Sequence, residues 1–150
     1  MRKAISTLPL QLIEIEEEGY HLFAEAEVND KKVTLLIDTG ASMTVFDKSR
    51  IIQLLELDED EPGLGLAPHL SAGLGTNTME SRLVNIEKFK LGTLVLKNYQ
   101  SVVLEINHVN QSYEMLGYKG IDGVLGSDLL KRYEAVIYYK KKMLKLYYGH

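Results

Sequence analysis

Residues 35–42 read LLIDTGAS and carry the most specific chemical pattern in the chain. Three apolar residues run directly into Asp38, so its carboxylate stands at the end of a buried strand, where it needs hydrogen bonds or a shared proton. Gly40 lets the backbone turn tightly and point its N–H at that carboxylate. The Thr39 hydroxyl can bond to the backbone of a neighbouring loop. The alternative interpretation is that Asp38 merely opens an Asx turn at a strand end.

A second pattern lies near the C-terminus, where residues 121–130 read IDGVLGSDLL. An apolar pair precedes a glycine there, and a short helix is expected to follow with Ser127 as its cap. Between the two patterns, residues 71–76 read SAGLGT and are followed by strand-like sequence. Its two glycines are equally compatible with an ordinary loop. The ordered set of three is more specific than Asp-Thr-Gly alone.

In this order and spacing the three segments resemble the retropepsin-like aspartic proteases of the bacterial type. In that family, hydrophobic-hydrophobic-Asp-Thr-Gly-Ala forms the first psi-shaped loop, hydrophobic-hydrophobic-Gly crosses beneath it, and a flap hairpin lies between them. The resemblance runs from about Tyr20 to the end of the chain, and the tail 133–148 resembles the last strands of bacterial members. This chain has Tyr138 at a position in the late strand where many bacterial relatives have an Asp, and this difference does not affect the active site.

The resemblance implies a role for each matched residue. Asp38 matches the catalytic aspartate, and Asp122 is expected to be structural because no Thr follows it. Ala41 matches the retroviral-type alanine, where pepsin-like enzymes usually carry a hydroxyl residue. The other matches are the supporting residues Thr39 and Gly40 of the active-site loop, the flap and substrate-binding residues Gly73, Leu74, Gly75 and Thr76, and the structural psi-loop residues Val124, Leu125 and Gly126.

The rest of the sequence predicts an all-β fold, because apolar and polar residues mostly alternate with a period of two. We expect one domain over residues 1–150, a retropepsin-like closed barrel or acid-protease half with a flap hairpin and one or two short helices. Residues 1–9 are an N-terminal tail, an interface strand or a removable segment. The predicted strands are 10–16, 20–28, 33–37, 42–46, 79–90, 93–96, 99–106, 121–125, 135–139 and 143–148, with a helix capped by Asp47 and a polar loop over 107–119.

Composition narrows the function further. The chain has 150 residues, a formal net charge of −4 and no cysteine, which excludes disulfides, thiolate zinc sites and a cysteine nucleophile. Its four histidines lack metal-ligand spacing, so we expect no metal and no cofactor. The acidic balance argues against a nucleic-acid partner. No stretch approaches the roughly 18 apolar residues of a membrane span. We therefore expect a soluble, cytoplasmic protein.

The chemistry implied by the resemblance needs two carboxylates sharing one proton around a water molecule, and one chain offers one Asp-Thr-Gly. The sequence therefore predicts an aspartic endopeptidase that acts on peptides or proteins as a homodimer, with one Asp38 from each subunit. The alternative is a non-catalytic peptide-binding or scaffolding module that retains the protease fold.

Overall fold

A computed structural model describes residues 3–17, 19–57, 65–66 and 81–149 of the chain. The described elements are mostly strands, as the alternating sequence predicts. The strands are β1 (Ala4–Ile15), β2 (Gly19–Val28), β3 (Lys31–Ile37), β4 (Val45–Asp47), β5 (Gly65–Leu66), β6 (Arg82–Leu91), β7 (Leu94–Leu104), β8 (Gly123–Leu125), β9 (Val136–Tyr138) and β10 (Met143–Tyr148), and the helices are α1 (Lys48–Leu55), α2 (Asn107–Met115) and α3 (Ser127–Arg132).

Six strands close into a barrel. The hydrogen-bonded order β6-β7-β4-β8-β3-β2 returns on itself, because β2 also pairs with β6 through Val28 and Phe89. Closure removes the sheet edges that would otherwise stand unpaired. Two of the pairings are parallel, β3 with β8 and β4 with β7, and these need long crossovers rather than tight turns. The closed all-β barrel predicted from the sequence is confirmed.

The N-terminal segment belongs to a smaller sheet beside the barrel. Residues 4–9 of β1 pair with β10, and residues 10–15 of the same strand pair with β2. β9 completes this sheet on the far side of β10. The sequence left three interpretations open for residues 1–9: a tail, an interface strand or a removable segment. From Ala4 onward these residues form a strand that pairs within the same chain.

The core follows the strand alternation. Buried Leu35 and Ile37 of β3 face the larger apolar cluster, where the rings of Phe46 and Phe89 pack edge to face at 5.4 Å between centroids. Leu36, which points to the opposite face of β3, packs against a second cluster. The second cluster is formed by the buried residues Phe23, Val45, Val102, Leu104, Ile106, Tyr113 and Ile121. It lines the face of β3 that ends at Asp38.

Residues 107–119 are the main secondary-structure prediction that was wrong. The polar loop expected there contains helix α2 over Asn107–Met115, which has no side-chain cap at its start. The helix buries Asn110 and Tyr113, three residues apart on one face, in an otherwise polar segment. Asn110 accepts a hydrogen bond from the Ile121 N–H at 2.7 Å and donates one to the Ile121 carbonyl at 3.0 Å. Tertiary contacts therefore stabilise a helix that the local sequence does not predict.

Smaller corrections concern element boundaries. The sequence predicted two strands, 93–96 and 99–106, with a turn at Lys97-Asn98 between them, but these residues lie inside one strand, β7, because β6 pairs with β7 along nearly its whole length. Asn98 takes a left-handed φ of 51° without ending the strand. The strand predicted over 42–46 is β4, shifted to Val45–Asp47. Ser127 begins helix α3 but does not cap it, because the cap position is Gly126. Asp47 caps α1 as predicted, accepting a hydrogen bond from the Arg50 N–H.

Across the described ranges, no helix is long and apolar enough to cross a membrane.

Candidate active site

Asp38 sits in a tight turn that leaves β3. The Gly40 N–H donates a hydrogen bond to Asp38 Oδ1 at 2.9 Å, which is the contact that the sequence predicted. The Ala41 N–H donates to the Asp38 carbonyl at 3.2 Å and closes the turn. The Asp38 and Ala41 residues are partly buried, whereas Thr39 and Gly40 are exposed. The turn therefore holds one carboxylate at a surface, where the Gly40 N–H orients it.

The strand β8 crosses beside this turn. Its residues Val124 and Leu125 pair in parallel with Leu36 and Ile37. The Asp38 N–H then donates to the Leu125 carbonyl at 3.0 Å, so the pairing continues into the turn. This is the psi-shaped crossing in which the sequence placed Val124, Leu125 and Gly126.

Gly126 is where the crossing chain comes closest to the loop after Asp38. A Cβ at this position would lie 2.6 Å from the Met43 carbonyl oxygen and 2.9 Å from the Ala41 carbonyl oxygen. No real Cβ is tolerated at such distances from backbone. The next residue, Ser127, donates its N–H to the Ala41 carbonyl at 2.7 Å. The close approach of two backbone segments therefore requires a glycine at position 126. This explains physically why the family's apolar-apolar-Gly pattern has a glycine there.

Thr44 and Asp128 brace the same loop, and the sequence interpretation missed both. Buried Thr44 donates its N–H to Asp128 Oδ2 at 3.0 Å and its hydroxyl to Asp128 Oδ1 at 2.7 Å. The Gly126 N–H in turn donates to Thr44 Oγ1 at 3.0 Å. The only sequence signal was a hydroxyl residue shortly after LLIDTGAS and an acid in the first turn of a helix. The pairing itself joins residues far apart in the chain.

Two other acids near the crossing already have partners. Asp122 Oδ2 accepts the Thr34 N–H at 2.7 Å, and its Oδ1 faces Arg50 Nη1 at 3.4 Å, which fits the structural role predicted for it. The buried Asp47 accepts the N–H groups of Arg50 and Ile106 at 3.2 and 3.0 Å. Neither carboxylate is placed as a second acid for Asp38.

A histidine and a tyrosine also belong to this region, and neither was predicted as a site residue. His21 Nδ1 lies 2.7 Å from the hydroxyl oxygen of Tyr113. Burial raises the pKa of Tyr113 to about 12, with a further contribution from the negative charge of Asp38. Helix α2 therefore brings the Tyr113 hydroxyl within electrostatic reach of Asp38.

The predicted flap residues Gly73, Leu74, Gly75 and Thr76 lie outside the described residues, and their role stays a prediction. The described part of the chain contains no cluster of three or more His, Asp or Glu side chains that could hold a metal ion.

Comparison with known proteins agrees with this geometry. The family model described as aspartyl protease matches residues 24–129, which include both the Asp38 turn and the psi crossing. The chain therefore belongs to the aspartyl protease family, and its fold is the retropepsin-like one that the sequence resembled.

Particular relatives define the likeness more closely. DNA damage-inducible protein 1 of Neurospora crassa is 31% identical over 125 residues, which are 82% of this chain and 24% of that protein. The chain thus spans about a quarter of that relative. A retropepsin-like aspartic protease from Rickettsia conorii superposes with a TM-score of 0.59 at 20% identity, covering 99% of this chain and 95% of that one. The retroviral protease-like domain of Ddi1 from Leishmania major gives a TM-score of 0.53 at 17% identity, covering 84% and 87%.

Proposed function

We propose that the protein is an aspartic endopeptidase whose active site forms between two copies of the chain, with Asp38 of each copy contributing one carboxylate. The observation that carries this proposal is the braced but single Asp38 carboxylate at the surface. Its turn is held by Gly40 and by the crossing strand β8, as a catalytic group requires. The sequence contains a single Asp-Thr-Gly segment, and Asp38 is the one carboxylate so placed among the described residues, while the chemistry needs two.

The exposed Thr39 supports the pairing of two copies. No described residue of the same chain makes a hydrogen bond to its hydroxyl, whereas the N–H groups of Asp38, Gly40 and Ala41 on either side of it are all hydrogen-bonded. A hydroxyl beside a two-fold axis can bond to the backbone of the other copy, and the symmetry repeats each such contact. The nearby acids Asp122 and Asp128 are bound to other groups, so neither supplies the second carboxylate from within the chain.

The proposed mechanism follows from the charges of the pair. Two carboxylates about 3 Å apart cannot both ionise, so they share one proton and titrate as a unit. The ionised Asp38 removes a proton from a water molecule, whose oxygen attacks the carbonyl carbon of the scissile amide. The neutral Asp38 protonates the carbonyl oxygen. Collapse of the tetrahedral intermediate breaks the C–N bond as a proton passes to the leaving nitrogen.

The experiment that tests this proposal mixes wild-type chains with Asp38→Asn chains. The two are combined in equal amounts, subunit exchange is verified by mass tags, and cleavage of a fluorogenic peptide library is measured. If each site needs Asp38 from both copies, random pairing leaves about one quarter of the dimers active. A site complete within one chain would retain about one half. The Asp30→Asn chain, which changes an exposed acid, is the matched control and should leave activity undiminished.

Three outcomes contradict the proposal in different ways. Activity near one half after verified exchange removes the shared site. Undiminished cleavage by pure Asp38→Asn protein removes Asp38 as the catalytic acid. Binding of library peptides without any cleavage favours the non-catalytic peptide-binding module instead. In that case the digest is the same with and without a statine-type inhibitor such as pepstatin.

A further inference from the structure

The contact between His21 and Tyr113 connects a strand beside Asp38 to helix α2. β2 and β3 are antiparallel, and Phe23 pairs with Leu36. The pairing ends at this pair, and its register, continued two residues farther along each strand, directs His21 toward the turn that holds Asp38. On its other side, β2 pairs His21 with Ile13 of β1. His21 therefore lies in the part of β2 that is nearest to the Asp38 turn.

Tyr113 is a rigid partner for that imidazole. Its side chain is buried, and its ring packs edge to face against Phe23 and His21 with centroids 5.1 and 5.7 Å away. One turn earlier on α2, the two hydrogen bonds between Asn110 and Ile121 anchor the helix to the segment that enters β8. The Tyr113 hydroxyl therefore has little freedom to leave His21.

The position of the protons decides what His21 can bind. The Tyr113 hydroxyl can accept from Nδ1 when Nδ1 carries a proton, and it can donate to Nδ1 when Nδ1 carries none. The second arrangement leaves Nδ1 unprotonated. A neutral imidazole then carries its proton on Nε2. The His21 side chain is exposed, and no described residue bonds to its Nε2. In this arrangement Tyr113 orients an N–H donor that no described residue uses, near the turn that holds Asp38.

We propose that Tyr113 is a positioning residue of the peptide-binding groove, holding His21 so that its Nε2–H donates to a carbonyl oxygen of a bound peptide. This inference rests on the proposed peptidase function. The peptide carbonyl that accepts this bond is a different one from the carbonyl that is cleaved, so the donor binds substrate and transition state about equally. Such uniform binding lowers KM and leaves kcat nearly unchanged.

The experiment compares Tyr113→Phe with Tyr118→Phe in the full chain. Tyr118 packs against the same apolar cluster, but its hydroxyl donates to the Glu14 carbonyl at 3.1 Å, so the control removes a similar bond elsewhere. With a peptide that the wild type cleaves, Tyr113→Phe should raise KM by about 3- to 10-fold, the effect of one hydrogen bond, with little change in kcat. Tyr118→Phe should leave both constants unchanged.

Variants of His21 test whether Tyr113 acts through it. His21→Leu should raise KM as much as Tyr113→Phe, and the double variant should be no worse than either single one, because both remove the same donor. His21→Gln should recover part of the affinity, since its amide N–H can occupy the place of Nε2–H. His21 is exposed, so these variants remain informative where Tyr113→Phe fails to fold.

A measurement independent of activity completes the test. Long-range ¹H–¹⁵N NMR of the neutral His21 imidazole should show one tautomer, with Nδ1 unprotonated, and Tyr113→Phe should move the Nδ1 resonance toward that of a tautomer mixture. Unchanged tautomer populations, additive KM effects, or an unchanged KM in Tyr113→Phe would overturn the inference while leaving the peptidase in place. A wild type that cleaves no peptide would instead contradict both the proposed function and the substrate role of His21. The NMR result would still show whether His21 and Tyr113 form their hydrogen bond.

Discussion

The Asp38 N–H donates a hydrogen bond to the Leu125 carbonyl at 3.0 Å, and this bond ties the proposed catalytic turn to a strand near the other end of the chain. It extends the parallel pairing of β3 with β8 by one residue. The position of Asp38 therefore depends on the crossing strand as well as on its own turn. Changes at the crossing should reach the site through this contact.

Replacing Gly126 with Ala should destabilise the protein. The added Cβ would stand 2.6 Å from the Met43 carbonyl, and a backbone group cannot move away as a flexible side chain can. We expect the free energy of unfolding to fall by about 1–3 kcal/mol, the usual cost of overpacking, as measured by urea denaturation. Gly149→Ala is the control, because its Cβ would meet no atom within 4 Å. Equal stability of the two variants would contradict the steric role of Gly126.

Replacing Thr44 with Val should cost stability through unsatisfied polar groups. Val keeps the shape of Thr but leaves the Gly126 N–H without its acceptor and removes one of the two hydrogen bonds that Asp128 Oδ1 accepts, the other coming from the Leu129 N–H. The expected loss is about 1–3 kcal/mol, measured by urea denaturation, while Thr44→Ser keeps the hydroxyl and should lose less. A Ser variant as unstable as the Val variant would mean that the Thr methyl group, rather than the hydrogen bonds, is responsible.

We expect the ionisation of Tyr113 to lower the stability of the folded protein at alkaline pH. Its pKa in the folded protein is raised to about 12 from an ordinary value near 10, so its contribution is fully present below pH ~10 and is lost as pH rises toward 12. Tyr113→Phe cannot ionise and should lose stability less steeply over that window. Urea denaturation at several pH values checks this, and Tyr118→Phe is the control. Parallel curves for wild type and Tyr113→Phe would contradict the raised pKa.

Replacing Asp38 with Asn should abolish cleavage without unfolding the chain. Asn keeps an oxygen that can accept the Gly40 N–H, but it cannot serve as a general base. We expect at least a ~10²-fold loss of peptidase activity with an unchanged urea midpoint. Asp30→Asn, which alters only an exposed contact with Lys88, should retain activity. A large shift in the urea midpoint for Asp38→Asn would show that the carboxylate has a structural role instead.

Features set by neighbouring residues were predictable from the sequence. The Gly40 N–H reaches the Asp38 carboxylate across two residues, and Asp47 caps the helix that begins at the next residue. In both cases the donor and the acceptor are brought together by the local turn alone. Strand alternation predicted β2 and β3 for a similarly local reason, since the period of two assigns each side chain to a face.

Contacts between distant segments had no such signal. The sequence of helix α2 is mostly polar and does not indicate a helix. The helix is stabilised by contacts with distant segments, because Asn110 bonds to Ile121, just before β8, and Tyr113 contacts His21 of β2. The Thr44–Asp128 brace joins two ordinary polar residues whose meeting depends on the crossing of β8. Asp-Thr-Gly and the apolar-apolar-Gly motif could be recognised in the sequence because each is contiguous. The residues that hold and flank Asp38 were decided by tertiary structure, because burial and cross-strand register depend on how the whole barrel closes.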